Sequence, residues 1–315
     1  MPAGDFHVDS DIRFATVPPA ALYLEDGWFR LVTERVLART WHVVADASCL
    51  AMKETAFPVT LLPGALDEPL VLTRDRKDRL HCLANSCTHR GELVCMAAGP
   101  AKLLQCAAHG RTFRLDGELM DAPGLQGAPG FPSPSDSLAR LPVATWGPLV
   151  FASLAPAAPF EDVVGPLRGS CAPPLARGGM GRETAEIEAN WALWVEASLA
   201  SFVGEGVTLH EGGAVHAGPA VRAWLFPATF VDVAGETIAV SSAQPAAPGR
   251  TRVHRLSVGA GGAPSPDPWA VDGALLAGFQ RGLRSRSYRP GHYAPARDRA
   301  VHHFHRLLGG AIAKP

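Results

Sequence analysis

The second half of the chain combines two periodicities of apolar residues. Along 221–258 apolar and polar residues alternate between turn signals, which predicts strands of an antiparallel sheet. Helical periodicity returns over 272–288 and 295–312. An amphipathic helix is predicted over 183–203, where apolar residues recur at helical spacing: Trp191, Trp194, Val195, Leu199, Phe202 and Val203. We therefore expect an α+β domain over 182–315, with helices packed against one sheet.

The first half of the chain is patterned differently. Short segments rich in Val, Leu and Phe, separated by Gly, Pro and Asp, predict the strands of an all-β domain at 68–75, 79–85 and 144–154. We place this domain at 41–155 and expect residues 1–40 to pack on the second domain. Residues 156–181 are rich in Pro and Gly with little periodicity, and we interpret them as a connector.

Composition narrows the class of protein. Of the 315 residues, 47% are hydrophobic and 19% are charged, and the net charge is -1, which is typical of a globular chain with a sizeable core. No basic stripe is available for nucleic acid or an acidic membrane. The longest uncharged run, 141–160, contains four prolines, so a membrane span is not expected. No secretory signal is visible at the N-terminus, so we expect a cytoplasmic protein.

Two short loops carry the candidate chemistry. Cys87 and His89 are separated by one residue; after sixteen intervening residues follow Cys106 and His109, which are separated by two. In a reducing cytoplasm, cysteines clustered with histidines indicate a metal site or catalysis rather than disulfides. Zinc sites usually group like residues, whereas each loop here carries one Cys and one His. A Rieske centre requires this arrangement, because one iron takes two Cys and the other takes two His.

The segments NSCTHRGELV and CAAHGRTFRLDGEL resemble the two cluster loops of Rieske non-haem iron oxygenases. This resemblance implies a Rieske [2Fe-2S] domain whose cofactor-binding residues are Cys87, His89, Cys106 and His109. Arg111 stands where the family usually has tryptophan, and Ala107 where it has proline. Phe113 and the two alanines of the second loop offer no hydroxyl donor to the cluster sulfurs, which predicts a low reduction potential suited to oxygenases.

The remaining four cysteines fit another role. Cys82 and Cys95 flank the first loop, and Cys49 and Cys171 lie farther away on either side of the two loops. Free cysteine outside a reactive site usually behaves as a small buried hydrophobe, and we interpret all four in this way.

The resemblance extends nearly from end to end, through ANWALWVEASLA to FQRGLRSRSY and FHRLL, and implies a second cofactor. In such enzymes the second domain holds a mononuclear Fe(II) between two histidines and one carboxylate. Asp272 lies eight residues before Gln280, where the family's carboxylate stands. An N-cap at the start of an apolar helix explains the same aspartate equally well.

The histidine ligands do not match the family. The first falls on Val203 or Gly204, and the family's second lies about five residues further on, where His210 is the nearest histidine. The acid that links the cluster to the iron of the neighbouring subunit falls on Ala200 or Ser201.

Three hypotheses therefore stand for the second metal site. His210 and His216 could bind iron with Asp272, with Glu205 as the linking acid. Glu205 could itself be a ligand beside His210 and Asp272. Alternatively the site is lost, with Val203 packed where a ligand would be. The helical register from Trp191 favours loss or alteration over an intact triad.

The three histidines near the C-terminus suggest no further metal site. Residues 302, 303 and 305 are all histidine, and a surface or packing role is expected for them, since only two can share a helix face.

The resemblance implies an oxygenase component that receives electrons from an external reductase or ferredoxin. It would activate O2 for hydroxylation or demethylation of a small organic substrate, aromatic or amine-like, and would form a homotrimer or mixed oligomer. The alternative is a Rieske electron carrier or non-catalytic partner that has lost its mononuclear iron. A zinc-binding structural protein is a third hypothesis.

Overall fold

The computed structural model describes residues 7–125, 127, 129–171, 179–259 and 271–314. The helices are α1 Ala21–Leu24, α2 Asp26–Arg35, α3 Phe160–Ser170, α4 Trp191–Leu199, α5 Gly273–Gly282 and α6 Arg299–Ala313. The strands of the first half are β1 His42–Asp46, β2 Thr55–Leu61, β3 Glu68–Arg74, β4 Leu80–Ala84, β5 Gly99–Pro100, β6 Leu104–Gln105, β7 Thr112–Phe113, β8 Leu119–Asp121, β9 Arg140–Leu141, β10 Val143–Trp146 and β11 Leu149–Ala152. Those of the second half are β12 Gly179–Ile187, β13 Val207–His210, β14 Gly213–His216, β15 Val221–Leu225, β16 Thr229–Ala234, β17 Thr237–Ala247 and β18 Arg250–Gly259.

The chain divides into two compact units. The first unit contains residues 41–61 and 67–156, and the second contains 1–40, 62–66 and 157–315. Within the described part of the chain, no helix has the length and hydropathy needed to cross a membrane.

The first unit is built from three small antiparallel sheets. Their strand orders are β5-β2-β3-β4-β9, β1-β11-β10 and β6-β7-β8. The strands predicted at 68–75 and 79–85 are β3 and β4, and the segment 144–154 contains parts of β10 and all of β11. Beneath the two cysteine-containing loops lies a core that includes Val71, Leu83 and Phe113, and both Cys87 and Cys106 belong to it. The loops are therefore anchored by the same burial that holds the sheets together.

The second unit is organised around one antiparallel sheet of seven strands. The strand order is β12-β18-β17-β16-β15-β14-β13. Aromatic side chains fill the space between this sheet and helices α4 and α6. The ring of Phe304 lies 5.8 Å from that of Trp191 and 5.7 Å from that of Trp224, both in edge-on geometry. The α+β class expected from the sequence, an all-β domain followed by helices on an antiparallel sheet, is confirmed.

Helix α4 differs from the sequence prediction. The predicted amphipathic helix over 183–203 is wrong in its first part, because residues up to Ile187 form β12 and pair with β18. The helix begins only after Asn190, whose side chain accepts a hydrogen bond from the Ala192 N–H as an N-cap does. Most of its side chains are buried, so it is a core helix rather than an amphipathic one. The helical spacing came from residues on the C-terminal side of this cap.

A buried asparagine joins α4 to two distant segments. The Asn190 side chain donates to the carbonyls of Tyr23 and Pro248, at 3.2 and 2.8 Å. Its backbone N–H donates to Oε1 of Gln280 at 2.9 Å. Gln280, which belongs to the QRGL motif of the sequence, therefore accepts a hydrogen bond from the backbone at the N-terminus of α4 and joins α5 to that helix.

The segment interpreted as a connector, 156–181, also contains regular structure. Helix α3 spans most of its first half, with Pro166 inside the helix. Burial of Phe160, Val163, Val164 and Leu167 stabilises it despite the proline. The rest of this segment, 172–178, lies outside the described residues.

We predict that Phe304→Ala lowers the free energy of unfolding by about 3–5 kcal/mol, because it opens a cavity among packed aromatic rings. Phe304 is fully buried, at 0% exposure. Urea unfolding followed by tryptophan fluorescence measures the change. Phe279→Ala is the matched control, since Phe279 is 49% exposed and should cost less than about 1 kcal/mol. Equal losses in the two variants would contradict the packing described here.

Candidate metal centre

The two cysteine-containing loops have the same backbone geometry. In the first loop the N–H of Cys87 donates to the Glu92 carbonyl at 2.8 Å, and the N–H of Gly91 donates to the Cys87 carbonyl at 2.9 Å. In the second loop the N–H of Cys106 donates to the Arg111 carbonyl at 2.9 Å, and the N–H of Gly110 donates to the Cys106 carbonyl at 3.0 Å. Each loop is thus a closed turn that begins at its cysteine.

A glycine permits each turn to close. Gly91 and Gly110 both stand four residues after the cysteine and have φ values of 80° and 75°. This left-handed conformation is costly for residues that carry a Cβ. The common spacing from Cys to Gly is the sequence signal for these paired turns, and it differs from the spacing between Cys and His.

The turns separate the thiols from the imidazoles. Cys87 and Cys106 are 3% and 2% exposed, whereas His89 and His109 are exposed. The two thiols are close enough to share a hydrogen bond, and the two imidazole rings lie 4.7 Å apart between centroids. The structure therefore brings the four predicted residues together as an inner pair of sulfurs and an outer pair of nitrogens.

The surroundings of the four side chains affect their protonation. Burial raises the pKa of the Cys87 thiol, and the His89 backbone N–H, which donates to the sulfur, opposes this shift. The pKa of His89 is lowered, first by partial desolvation and then by the charge of His109. A neutral imidazole is the form that binds iron, and metal would displace the thiol protons.

Arg111 connects the two turns. Its backbone belongs to the second turn, and its guanidinium donates to Oγ1 of Thr88 in the first turn at 2.9 Å. The same guanidinium lies 3.6 Å from a carboxylate oxygen of Asp136 and stacks over the Phe131 ring, 5.5 Å from its centroid. Phe113 is fully buried in the core below.

The predicted mononuclear site has a different structure. Helix α4 ends at Leu199, and Val203 is 42% exposed, so it does not pack in a space left by a ligand, as we had expected for a lost site. Thr208, five residues further on, lies exposed in β13. Asp272 is exposed and is the N-cap of α5, since it accepts a hydrogen bond from the Ala274 N–H at 2.8 Å. Capping accounts for this aspartate without a metal.

His210 and His216 lie on the hairpin of β13 and β14, whose register shows whether they could bind the same iron. His210 pairs with Gly213 beside the turn, whereas His216 pairs with Val207 at the far end. Cross-strand partners point to the same face of a sheet, and positions separated by three residues point to opposite faces. His210 and His216 therefore lie about 10 Å apart along the hairpin and face opposite ways, which is incompatible with a shared iron.

The hypothesis that Glu205 binds iron beside His210 and Asp272 is not supported by the structure either. Glu205 is exposed and precedes β13. Among the described residues, no group of three or more His, Cys, Asp or Glu side chains is placed to hold one metal ion. The pair of loops is compatible with this result, because each iron of a Rieske cluster takes only two protein ligands.

A buried polar network was missed by sequence reasoning. The Glu196 carboxylate accepts a hydrogen bond from the Tyr23 hydroxyl at 2.8 Å and lies 3.1 Å from Nε2 of His305. The other ring nitrogen of His305 lies 2.7 Å from the Tyr293 hydroxyl. The network ties the N-terminal segment to α4 and α6. Its signal in the sequence was weak, because only the spacing of His305 along an apolar helix indicated a buried position.

The other two C-terminal histidines also have packing roles. Nε2 of His302 contacts the Asp9 carbonyl at 2.8 Å, and Nε2 of His303 contacts the His210 carbonyl at 2.8 Å. These contacts agree with the packing role that the sequence suggested.

Comparison with known proteins agrees with the geometry of the loops. Residues 40–132 match the Rieske [2Fe-2S] domain family. The chain is 23% identical to the chloroplastic choline monooxygenase of Arabidopsis thaliana over 96% of this chain and 85% of that protein. It is 28% identical to the biphenyl dioxygenase α subunit of Paraburkholderia xenovorans (strain LB400) over 61% of this chain and 44% of that protein. A solved structure of the quaternary ammonium Rieske monooxygenase CntA matches with a TM-score of 0.79, at 22% identity and 99% coverage of both chains.

The first unit is thus a Rieske [2Fe-2S] domain, and the whole chain has the Rieske oxygenase fold. The chain is homologous to choline and carnitine monooxygenases and to the biphenyl dioxygenase α subunit. The Rieske domain and these homologues imply a [2Fe-2S] cluster and a mononuclear iron. The donor set and burial of the two loops fit the cluster, whereas the residues of the second unit described above do not fit the iron.

We predict that acid destabilises the second unit through His210. Burial, and then the charge of His303, lowers the pKa of His210 to about 4. In the unfolded chain a histidine titrates near 6.5, so between these values the unfolded state binds more protons and stability falls as pH falls. Between pH 7 and pH 4.5 the free energy of unfolding of the wild-type protein should fall by about 2 kcal/mol more than that of His210→Asn.

Urea unfolding at several pH values measures this slope. Thr208→Ala is the control, because it removes an exposed, non-titrating side chain from the same strand and should keep the wild-type dependence on pH. An unchanged slope in His210→Asn would show that His210 is not responsible.

Proposed function

We propose that Cys87 and Cys106 bind one iron of a [2Fe-2S] cluster and that His89 and His109 bind the other. The observation that supports this assignment is the separation of buried thiols from exposed imidazoles 4.7 Å apart. When bound, such a cluster supplies transfer of one electron at a time. The exposed histidine pair is the side from which a reductase or ferredoxin would deliver electrons, while the core around the thiols excludes water.

We further infer that this chain does not activate dioxygen with a mononuclear iron of its own. Support comes from Val203 and Thr208, neither of which can bind iron, and from the opposite orientations of His210 and His216. The residues aligned with the family's linking acid, Ala200 and Ser201, cannot act as carboxylates either. The function that the geometry supports best is therefore electron transfer by a Rieske protein with an oxygenase fold.

Such a protein needs an acceptor, and we propose an iron-bearing homologous subunit in a mixed oligomer. The structure of CntA is described as revealing inter-subunit electron transfer in that protein. A chain with a [2Fe-2S] cluster but no mononuclear iron could supply electrons to a neighbouring subunit without competing for substrate.

An oxygenase active by itself is the second candidate, favoured by two observations. The similarity to choline monooxygenase covers 96% of the chain, and Asp272 keeps its spacing to Gln280. The substrate would then be a small organic molecule.

The two candidates differ in iron content. We expect about two irons and two acid-labile sulfides per chain after anaerobic purification, with a Rieske EPR signal after dithionite reduction. Added ferrous iron should not raise the iron content, and no substrate-coupled O2 consumption should follow when a reductase is supplied. About three irons per chain would favour the oxygenase, and absence of iron with bound zinc would refute both candidates.

We predict that Cys87→Ser abolishes the Rieske EPR signal and lowers the iron content to less than a tenth, since a thiolate ligand is lost. Cys82→Ala is the matched control, because Cys82 is equally buried but lies in β4, paired with Leu72 of β3 and Leu141 of β9, and not in either loop. It should keep the full signal. Loss of the cluster in both variants, with folding retained by circular dichroism, would argue against the ligand assignment.

A further inference from the structure

Arg111 is a buried cation beside the proposed cluster ligands. The residue is 6% exposed, although its guanidinium is cationic. It stands two residues after His109, and its hydrogen bond to Thr88 places the guanidinium beside the residue between Cys87 and His89. Burial of a cation is costly unless charge or hydrogen bonds compensate it.

The protein compensates this cation only in part. Asp136, at 3.6 Å, is the acidic partner of Arg111 in the described part of the chain, and its carboxylate is also hydrogen bonded by the N–H and hydroxyl of Ser133. The face of the guanidinium is covered by Phe131. The Nε–H of Arg111 is buried and has no hydrogen-bond acceptor among the described residues. The positive charge of Arg111 and its Nε–H donor are therefore available to a further group.

On the basis of the cluster assignment above, we propose that Arg111 raises the reduction potential of the cluster and supplies a hydrogen-bond donor to it. Reduction adds one negative charge, and a buried cation stabilises the reduced state more than the oxidised one. The residue also clamps the two turns together through Thr88. Arg111 is thus a potential-determining residue, at a position where the family that the two loops resemble usually has tryptophan.

This role of Arg111 compensates for the lack of hydroxyl donors elsewhere around the proposed cluster. Phe113 lies where a hydroxyl donor would favour reduction, and Ala107 and Ala108 bring no donor in the second turn. Charge from Arg111 supplies by electrostatics what those positions do not supply by hydrogen bonding.

Redox titration followed by EPR tests the proposal on the cluster-loaded full chain. Arg111→Gln should lower the midpoint potential by at least about 59 mV, equivalent to a tenfold shift of this one-electron equilibrium. Arg111→Lys should retain more than half of the wild-type effect, because the charge remains. Arg114→Gln is the matched control: Arg114 is exposed and pairs with Glu118 at 3.2 Å, so its loss should leave the potential unchanged.

A second variant separates electrostatics from clamping. Asp136→Asn removes the partner charge but leaves the guanidinium, so the potential should rise. If Arg111 only held the two turns together, Arg111→Gln and Asp136→Asn would bind less cluster. The molecules that did carry a cluster would then have the wild-type reduction potential. That result, or an Asp136→Asn potential that falls, would overturn the proposal. Absence of a Rieske signal in the unsubstituted protein would instead refute the cluster assignment.

Discussion

The first unit depends on one repeated interaction, the backbone hydrogen bonds that close a turn onto its own cysteine. Both turns bond the cysteine N–H to a carbonyl five residues later and the cysteine carbonyl to a glycine N–H four residues later. Turns of this kind direct the thiols into the core and leave the histidines at the surface. The proposed electron-transfer role requires this division, because a metal centre must be both shielded and reachable.

The second unit keeps its architecture by interactions that are independent of a metal. Asn190 and Gln280 join α4 to α5, and Glu196 joins the N-terminal segment to α6 through Tyr23 and His305. These bonds are buried and satisfied, so they stabilise the arrangement of helices on the sheet. The fold of the second unit therefore does not depend on iron-binding residues at the end of α4.

Sequence reasoning predicted the parts of the molecule that local chemistry determines. The paired loops were predicted because Cys and His at fixed spacing have few alternative uses, and the antiparallel sheet was predicted by alternation. Helix α4 was placed too early, because apolar periodicity gives no boundary and the cap at Asn190 was not recognised. The positions of His210 and His216 could not be judged either, since only the register of the hairpin decides which face each occupies. The network around Glu196 depends on residues distant in sequence, which single-chain periodicity cannot connect.

The exposure of Val203 and Thr208 has a consequence for the history of such chains. Substitutions at exposed positions away from caps and networks change stability little, so a histidine could be exchanged for either residue, in either direction, at small energetic cost. Iron-binding capacity in this fold can thus disappear in one or two substitutions that leave its stability nearly unchanged. A gene duplicate could in this way become an accessory subunit without passing through an unstable intermediate.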